Sequence, residues 1–149
     1  MKPVRTWIVI ADGARARIVK NAGPGRGVEA DSNLVFRSEH RKLQEIMADK
    51  PGRAFDSVGK GRHAMAYGAD AVREDERHFL QSLAERLEKE ALADAYDRLI
   101  LIAPPRALGD LRPFLSKPVK NRIHNEIAKD LTQLPNDRLA NHLGKTIDL

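Results

Sequence analysis

The sequence predicts an α/β domain built on a mixed five-stranded sheet with helices on its faces. Two short apolar runs, residues 7–11 and 99–103, have the length and composition of strands buried on both faces. Between them, apolar residues recur at three- and four-residue steps from Val72 to Ala91, which is typical of an amphipathic helix. We expect strands that are joined through helices to pair in parallel.

The first three strands are predicted to form an antiparallel meander. Asp12-Gly13 is a two-residue turn signal after the first run, so residues 15–20 are expected to form a hairpin with it. The turn-rich residues 22–27 then lead into a third strand at 28–37. Three consecutive strands joined by short turns favour antiparallel pairing.

Caps, prolines and glycines predict the later elements. Pro104 and Pro105 end the second apolar run and suit the first turn of a helix, and Gly144 suits a helix end. In chain order these elements are a long helix from an N-cap at Asp70, a helix at 106–115, a short helix after Ser116, a strand at 123–130 and a final helix at 135–143.

The length of the chain favours a single domain over residues 1–149, and its net charge favours a polyanionic partner. A chain of 149 residues is long enough for one well-buried core and too short for two comfortable ones. The balance of 26 basic against 21 acidic residues gives a formal charge of +5, which attracts RNA and other polyanions.

Several classes of chemistry are disfavoured. The absence of cysteine excludes a disulfide framework, a thiolate zinc site and a cysteine nucleophile. The five histidines lack paired metal-ligand spacing and no Gly-x-Ser-x-Gly elbow is present, so we expect neither metal nor cofactor. The apolar run near the start has only five residues, which is too short for a signal-peptide core or a membrane span. We therefore expect a cytoplasmic protein without membrane insertion.

Residues 38–68 differ in composition from the rest, and we interpret them as a long polar loop. Glycines and basic residues are frequent there, and apolar residues are isolated. Two interpretations stay open: a solvated connection, or a loop whose cations contact RNA phosphates. The candidate nucleic-acid contacts are Arg53, Gly59, Lys60, Gly61, Arg62 and His63, together with Arg15 and Arg17, which form a basic stripe with Lys20 on the second strand. Such a stripe is more often simply the solvent-exposed face of a strand.

Four segments together resemble the bacterial host-attachment protein family, which is similar to the bacterial group of release-factor-like domains. The segments are TWIVIADGARARI, ERHFLQSLAERLEKE, LILIAPPRALGDLRPFL and IHNEIAKDLTQLPNDRLANHL, in that order. The resemblance implies a fold like the middle domain of archaeal and eukaryotic release factors, whose order of elements is also that of ribonuclease H-like folds. By analogy, it implies a connection to ribosomes or RNA.

The release-factor middle domain carries a Gly-Gly-Gln tripeptide on the loop before its long helix, where it assists hydrolysis of peptidyl-tRNA. The resemblance places residues 58–65 at the corresponding position, but Gly61, Arg62 and His63 stand where the tripeptide would be. Hydrolysis by that mechanism is therefore not expected, and His63 is left as the candidate for orienting a water.

Asp12 has two interpretations. In ribonuclease H-like folds, carboxylates from the first strand, the first helix and the fourth strand bind two metal ions, and Asp12 with Glu74 or Glu76 would supply two of them. The far end of the fourth predicted strand, residues 103–105, has no carboxylate. The cluster is incomplete, so the turn role of Asp12 is favoured.

The first hypothesis is a noncatalytic, cytoplasmic module that binds RNA or the ribosome through the basic, glycine-rich loop, with an indirect role in host attachment. Two alternatives come from other classes of protein. One is a hydrolase acting on nucleic acid or peptidyl-tRNA, and the other is an envelope-associated protein that takes part directly in attachment to host cells.

Overall fold

One mixed sheet organises the fold in the computed structural model, which describes residues 3–38, 57–144 and 149. The strands are β1 (Thr6–Ala11), β2 (Arg15–Asn21), β3 (Glu29–Arg37), β4 (Arg98–Ala103) and β5 (Ile123–Ala128). Their order across the sheet is β3-β2-β1-β4-β5. β1 pairs antiparallel with β2, which pairs antiparallel with β3, whereas β1, β4 and β5 are parallel. The predicted α/β class and mixed five-stranded sheet are confirmed.

Four helices accompany the sheet in the described part of the chain. They are α1 (Ser57–Leu92), α2 (Pro105–Leu111), α3 (Lys117–Lys120) and α4 (Asn136–Leu143), with a 3-10 turn at Arg112–Phe114. Gly68 interrupts α1 with φ 67° and ψ 166°, dihedral angles that a residue with a side chain rarely adopts. α1 therefore consists of two helical pieces that meet at Gly68.

The expected loop at 38–68 differs from the structure at residues 57–67, whose backbone is helical. Gly59 and Gly61 lower helix propensity and suggested a loop, but Ala64, Met65 and Ala66 are good helix formers and lead directly towards the break. Residues 39–56, including Arg53, lie outside the described part of the chain. Beyond the break, the helix continues through the predicted N-cap at Asp70.

One face of the sheet is covered by α1. Phe79, Leu83 and Leu87 of α1 are buried in the same cluster as Trp7 and Val9 of β1. The predicted burial of the strand at 7–11 and of the apolar face of the helix is therefore confirmed. Within this cluster, α2 and α3 contribute further buried side chains, namely Ala107, Leu108, Leu111 and Val119.

The opposite face is covered by the C-terminal part of the chain. Leu139 and Leu143 of α4, with Leu131 and Leu149, form a second buried cluster with four isoleucines of the sheet. These are Ile8, Ile10, Ile100 and Ile102. β1 and β4 are thus buried on both faces, as their uninterrupted apolar composition predicts.

The sequence predicts that the chain does not insert into a membrane. In the ranges that the structure describes, no helix combines the length and the apolar character that a bilayer crossing requires.

Candidate functional site

The carboxyl-terminal edge of the parallel strands is the candidate site, because open α/β sheets bind ligands at this edge. α1 runs antiparallel to β1, since its Glu76 lies against Gly13 just beyond the end of β1 and its Leu87 contacts Tyr96 just before β4 begins. The turns of α1 that follow Gly68 therefore lie at this edge. Five of the residues predicted to contact nucleic acid, at 59–63, come shortly before these turns in the chain.

Five of the predicted contact residues lie on the first piece of α1. Their backbone is helical, and their side chains fall outside what the structure describes; they are Gly59, Lys60, Gly61, Arg62 and His63. Their role in binding stays a prediction.

An ion pair fixes the second piece of α1 to α2. The Arg73 guanidinium donates to both oxygens of Asp110, at 2.6 and 3.0 Å, and fewer than a fifth of either side chain is exposed. These hydrogen bonds hold the pKa of Asp110 below its ordinary value and raise that of Arg73. Arg77 and Arg106 add positive charge around Asp110. The ion pair therefore joins α1 to α2 at this edge, with two further arginines close to it.

Asp12 has the turn role that the sequence favours. Its Oδ1 accepts hydrogen bonds from the backbone amides of Ala14 and Arg15, both at 2.8 Å, and its amide donates to the Arg15 carbonyl at 2.9 Å. The turn role is confirmed, although Gly13 and Ala14 form its tip instead of Asp12 and Gly13.

The two helix carboxylates considered for a metal-dependent nuclease contact different groups. Glu74 faces Arg77 and His78 on the exposed side of α1, at 3.5 and 3.2 Å, whereas Glu76 packs on Gly13. Across residues 3–38, 57–144 and 149, no three metal-ligating side chains come together. The geometry therefore lends no support to the two-metal arrangement.

Arg17 and Arg15 hold the segment between β5 and α4 against the sheet. The Arg17 guanidinium donates to the Asn136 Oδ1 at 2.8 Å, the Thr132 carbonyl at 2.9 Å and the Leu134 carbonyl. Arg15 is less tightly held, with its Nη2 3.4 Å from the Thr132 hydroxyl and its Nε 3.6 Å from Asp12. Burial and the nearby charge of Arg15 lower the pKa of Arg17. The predicted basic stripe is thus partly a structural clamp.

Sequence reasoning missed the partners in these contacts. Arg73 and Asp110 are 37 positions apart, and Arg17 and Asn136 are 119 apart. No motif connects such distant residues. The weak signal that exists is Thr132 and Asn136 flanking Pro135, a polar composition typical of a segment that needs external hydrogen bonds.

Comparison with known proteins gives one family. The model of a family described as "Protein required for attachment to host cells" matches residues 7–143, which include β1 except for Thr6, the four other strands and the final helix. The search of curated proteins found no match to the chain.

Proposed function

The chain belongs to the family of proteins required for attachment to host cells, and we propose that it is a noncatalytic, cytoplasmic module with a release-factor-like fold that binds RNA or the ribosome. The proposed contact is the basic first piece of α1, with Lys60, Arg62 and His63 as its polar side chains. Its role in attachment would be indirect, through the translation of other proteins.

One observation carries the proposal: the segment with Lys60 and Arg62 leads into the edge of the sheet where Arg77 and Arg106 also lie. Phosphate contacts made by such cations supply most of the affinity of a protein for RNA. The sheet order and the long helix beside it are compatible with the release-factor middle domain, in which the segment before the long helix performs the function.

The absence of the Gly-Gly-Gln tripeptide and the engagement of Asp12 in its turn favour binding over hydrolysis. Hydrolysis of RNA or peptidyl-tRNA by the purified protein, abolished by His63→Ala, would instead identify a hydrolase. Recovery of the protein with the cell envelope, and not with ribosomes, would favour the direct attachment role.

The test is crosslinking to RNA in cells together with sedimentation through sucrose gradients at low and moderate salt. The wild-type protein should sediment with ribosomes or RNA at low salt and be released as salt rises, because counterion release weakens phosphate contacts. The Lys60→Ala/Arg62→Ala variant should stay at the top of the gradient.

A matched control removes the same charge elsewhere. Lys89 near the end of α1 and Arg138 on α4 are both exposed, and neither lies in the proposed contact. Lys89→Ala/Arg138→Ala should therefore sediment as the wild type does. Equal loss in both double variants would indicate attraction by net charge alone, and no association of the wild type would contradict the proposal.

A further inference from the structure

A small cavity opens where β2 and β3 meet the segment that precedes α4. Its volume is about 130 Å³, which is more than a single water molecule needs. Polar groups of the lining come from two strands and a loop, and its apolar walls from neighbouring strand residues. The residues that line it are Ile10, Arg15, Ala16, Arg17, Val35, Phe36, Arg37 and Thr132.

The strand register concentrates guanidinium groups at this cavity. Arg15 is directly opposite Arg37 in the β2–β3 ladder, and Arg17 follows Arg15 on the same face of β2. Like charges at directly opposed positions of neighbouring strands destabilise a sheet. Arg37 is also engaged in another interaction. The argument for a ligand therefore depends on Arg15 and Arg17.

The positive charge of Arg17 is not matched by a carboxylate among the described residues. Its three hydrogen bonds go to two carbonyl oxygens and an amide oxygen, all uncharged. Burial and the charge of Arg15 both lower the pKa of Arg17, which indicates a cation held where positive charge is unfavourable. An anion in the cavity would relieve this cost.

The nearby carboxylates already have donors in their own turns. Asp12 Oδ1 accepts two backbone amides at 2.8 Å, and Asp130 Oδ1 accepts the amide of Thr132 at 3.0 Å and its hydroxyl at 2.6 Å. The Oδ2 of Asp12 lies 3.6 Å from Arg15, a distance at the weak end of ion pairing. These carboxylates therefore only partly offset the two guanidinium groups.

Arg15 is the group that can turn towards a ligand. A third of its side chain is exposed, and its contacts with Thr132 and Asp12 are long. When the side-chain amide of the exposed Gln133 is oriented so that its oxygen and nitrogen both meet suitable partners, its oxygen accepts hydrogen bonds from the Arg15 guanidinium. A guanidinium fork matches two oxygens of a phosphate better than it matches neutral acceptors.

We propose that this cavity binds a phosphate group, with Arg15 as the ligand-contacting fork and Arg17 and Thr132 as its fixed walls. The phosphate would come either from the backbone of RNA or from a small phosphomonoester. The site extends the proposed function and rests on it only if the source of the phosphate is RNA.

The test is titration of the isotope-labelled protein with inorganic phosphate, uridine monophosphate and a short single-stranded RNA, followed by amide chemical shifts. Inorganic phosphate should shift the amides of Arg15, Ala16 and Thr132 in a saturable way. Arg15→Gln should weaken that binding about tenfold, since one charge-assisted contact is lost. Arg138→Gln, an exposed substitution on α4, should leave it unchanged. Arg17 is not used as the test residue because its clamp supports the fold.

The same titrations distinguish RNA from a small phosphomonoester as the source of the phosphate. They also distinguish the phosphate cavity from the proposed RNA-binding module. Saturable phosphate or uridine monophosphate binding without RNA binding supports the cavity while contradicting the RNA module. RNA binding that needs Lys60 and Arg62 but is unchanged by Arg15→Gln, with no saturable phosphate binding, supports the module and overturns the cavity. Equal phosphate affinity in the wild type and in Arg15→Gln also overturns it.

Discussion

The Glu76 side chain of α1 occupies the space beside Gly13 that a Cβ atom at position 13 would need. Gly13 does not have a positive φ, unlike Gly23, Gly25, Gly27 and Gly68. The glycine in this turn is therefore explained by close approach of the helix and not by backbone conformation. The contact also sets the distance between α1 and the β1–β2 turn.

Gly13→Ala is expected to lower the free energy of unfolding by about 1 kcal/mol, because Glu76 must leave its preferred rotamer to make room. Urea denaturation followed by the fluorescence of Trp7, the single tryptophan, measures this change. In a Glu76→Ala background the same substitution should cost almost nothing. A cost that persists in that background would contradict the steric explanation.

Gly109→Ala is the matched control for that substitution. Gly109 lies in α2, and nothing would stand within 4 Å of its added Cβ. Alanine should therefore stabilise the protein by roughly 0.5 to 1 kcal/mol through helix propensity alone. A loss of stability from Gly13→Ala and a gain from Gly109→Ala would show that the room available for a Cβ atom, and not chain flexibility, distinguishes the two positions.

Arg17→Gln should release the segment before α4. The substitution removes a clamp of three hydrogen bonds to Thr132, Leu134 and Asn136, and we expect a loss of about 2 kcal/mol in the free energy of unfolding. Relative to the wild type, the variant should show a larger increase in hydrogen-exchange rate at the amides of α4 than at those of β1. Arg15→Gln, whose contacts with Thr132 and Asp12 are longer, should have a smaller effect. Equal protection of α4 in wild type and Arg17→Gln would contradict the clamp.

The sheet was predictable from local composition. The apolar runs at 7–11 and 99–103 have the length and composition of strands buried on both faces, and the turn signal at Asp12 predicts the hairpin without any long-range information. The composition predicts a strand at 123–130, whereas β5 ends two residues earlier, at Ala128. Strand ends depend on pairing with a neighbour, which composition does not record.

The helical state of residues 57–67 and the role of Arg17 were not predictable in the same way. Glycines in the first piece of α1 have low helix propensity, and a basic strand residue usually faces water. The shift in β2–β3 register between Arg17 and Val19 was also unforeseen. The contacts of Arg17 are made with partners distant in the chain, so local patterns carry little trace of them.

Tyr96 is expected to ionise only at strongly alkaline pH. Its hydroxyl donates to the Leu87 carbonyl at 2.8 Å, its ring lies 4.9 Å from that of Trp7, and burial raises its pKa to about 12. Because the unfolded tyrosine ionises near pH 10, the stabilisation is complete below that pH and is lost as the pH rises towards 12.

Ultraviolet titration should show one tyrosine ionising late in the wild type and none in Tyr96→Phe. The substitution also removes one buried hydrogen bond, so unfolding at neutral pH should cost about 1 kcal/mol less. A wild-type protein in which both tyrosines ionise together near pH 10 would show that Tyr96 is not buried as described.

Asp97 should make the protein sensitive to acid. Its carboxylate accepts the amide of Arg5 at 2.8 Å and two guanidinium donors of Arg5 at 3.1 and 3.2 Å, and these bonds lower its pKa to about 2. The unfolded carboxyl has a pKa of about 3.9. The folded state therefore binds the proton less readily, and the stabilisation is present above pH 4 and disappears as the pH falls towards 2.

Asp97→Asn should abolish this part of the acid dependence while leaving the rest of the curve in place. Chemical denaturation of the wild type and the variant at intervals between pH 7 and pH 2 would measure the difference in stability, which should be constant above pH 4 and shrink below it. Glu85→Gln removes an exposed carboxylate from α1 and serves as the control, with no comparable change expected in this window. A stability difference between wild type and Asp97→Asn that stays constant down to pH 2 would mean that Arg5 does not hold Asp97 ionised.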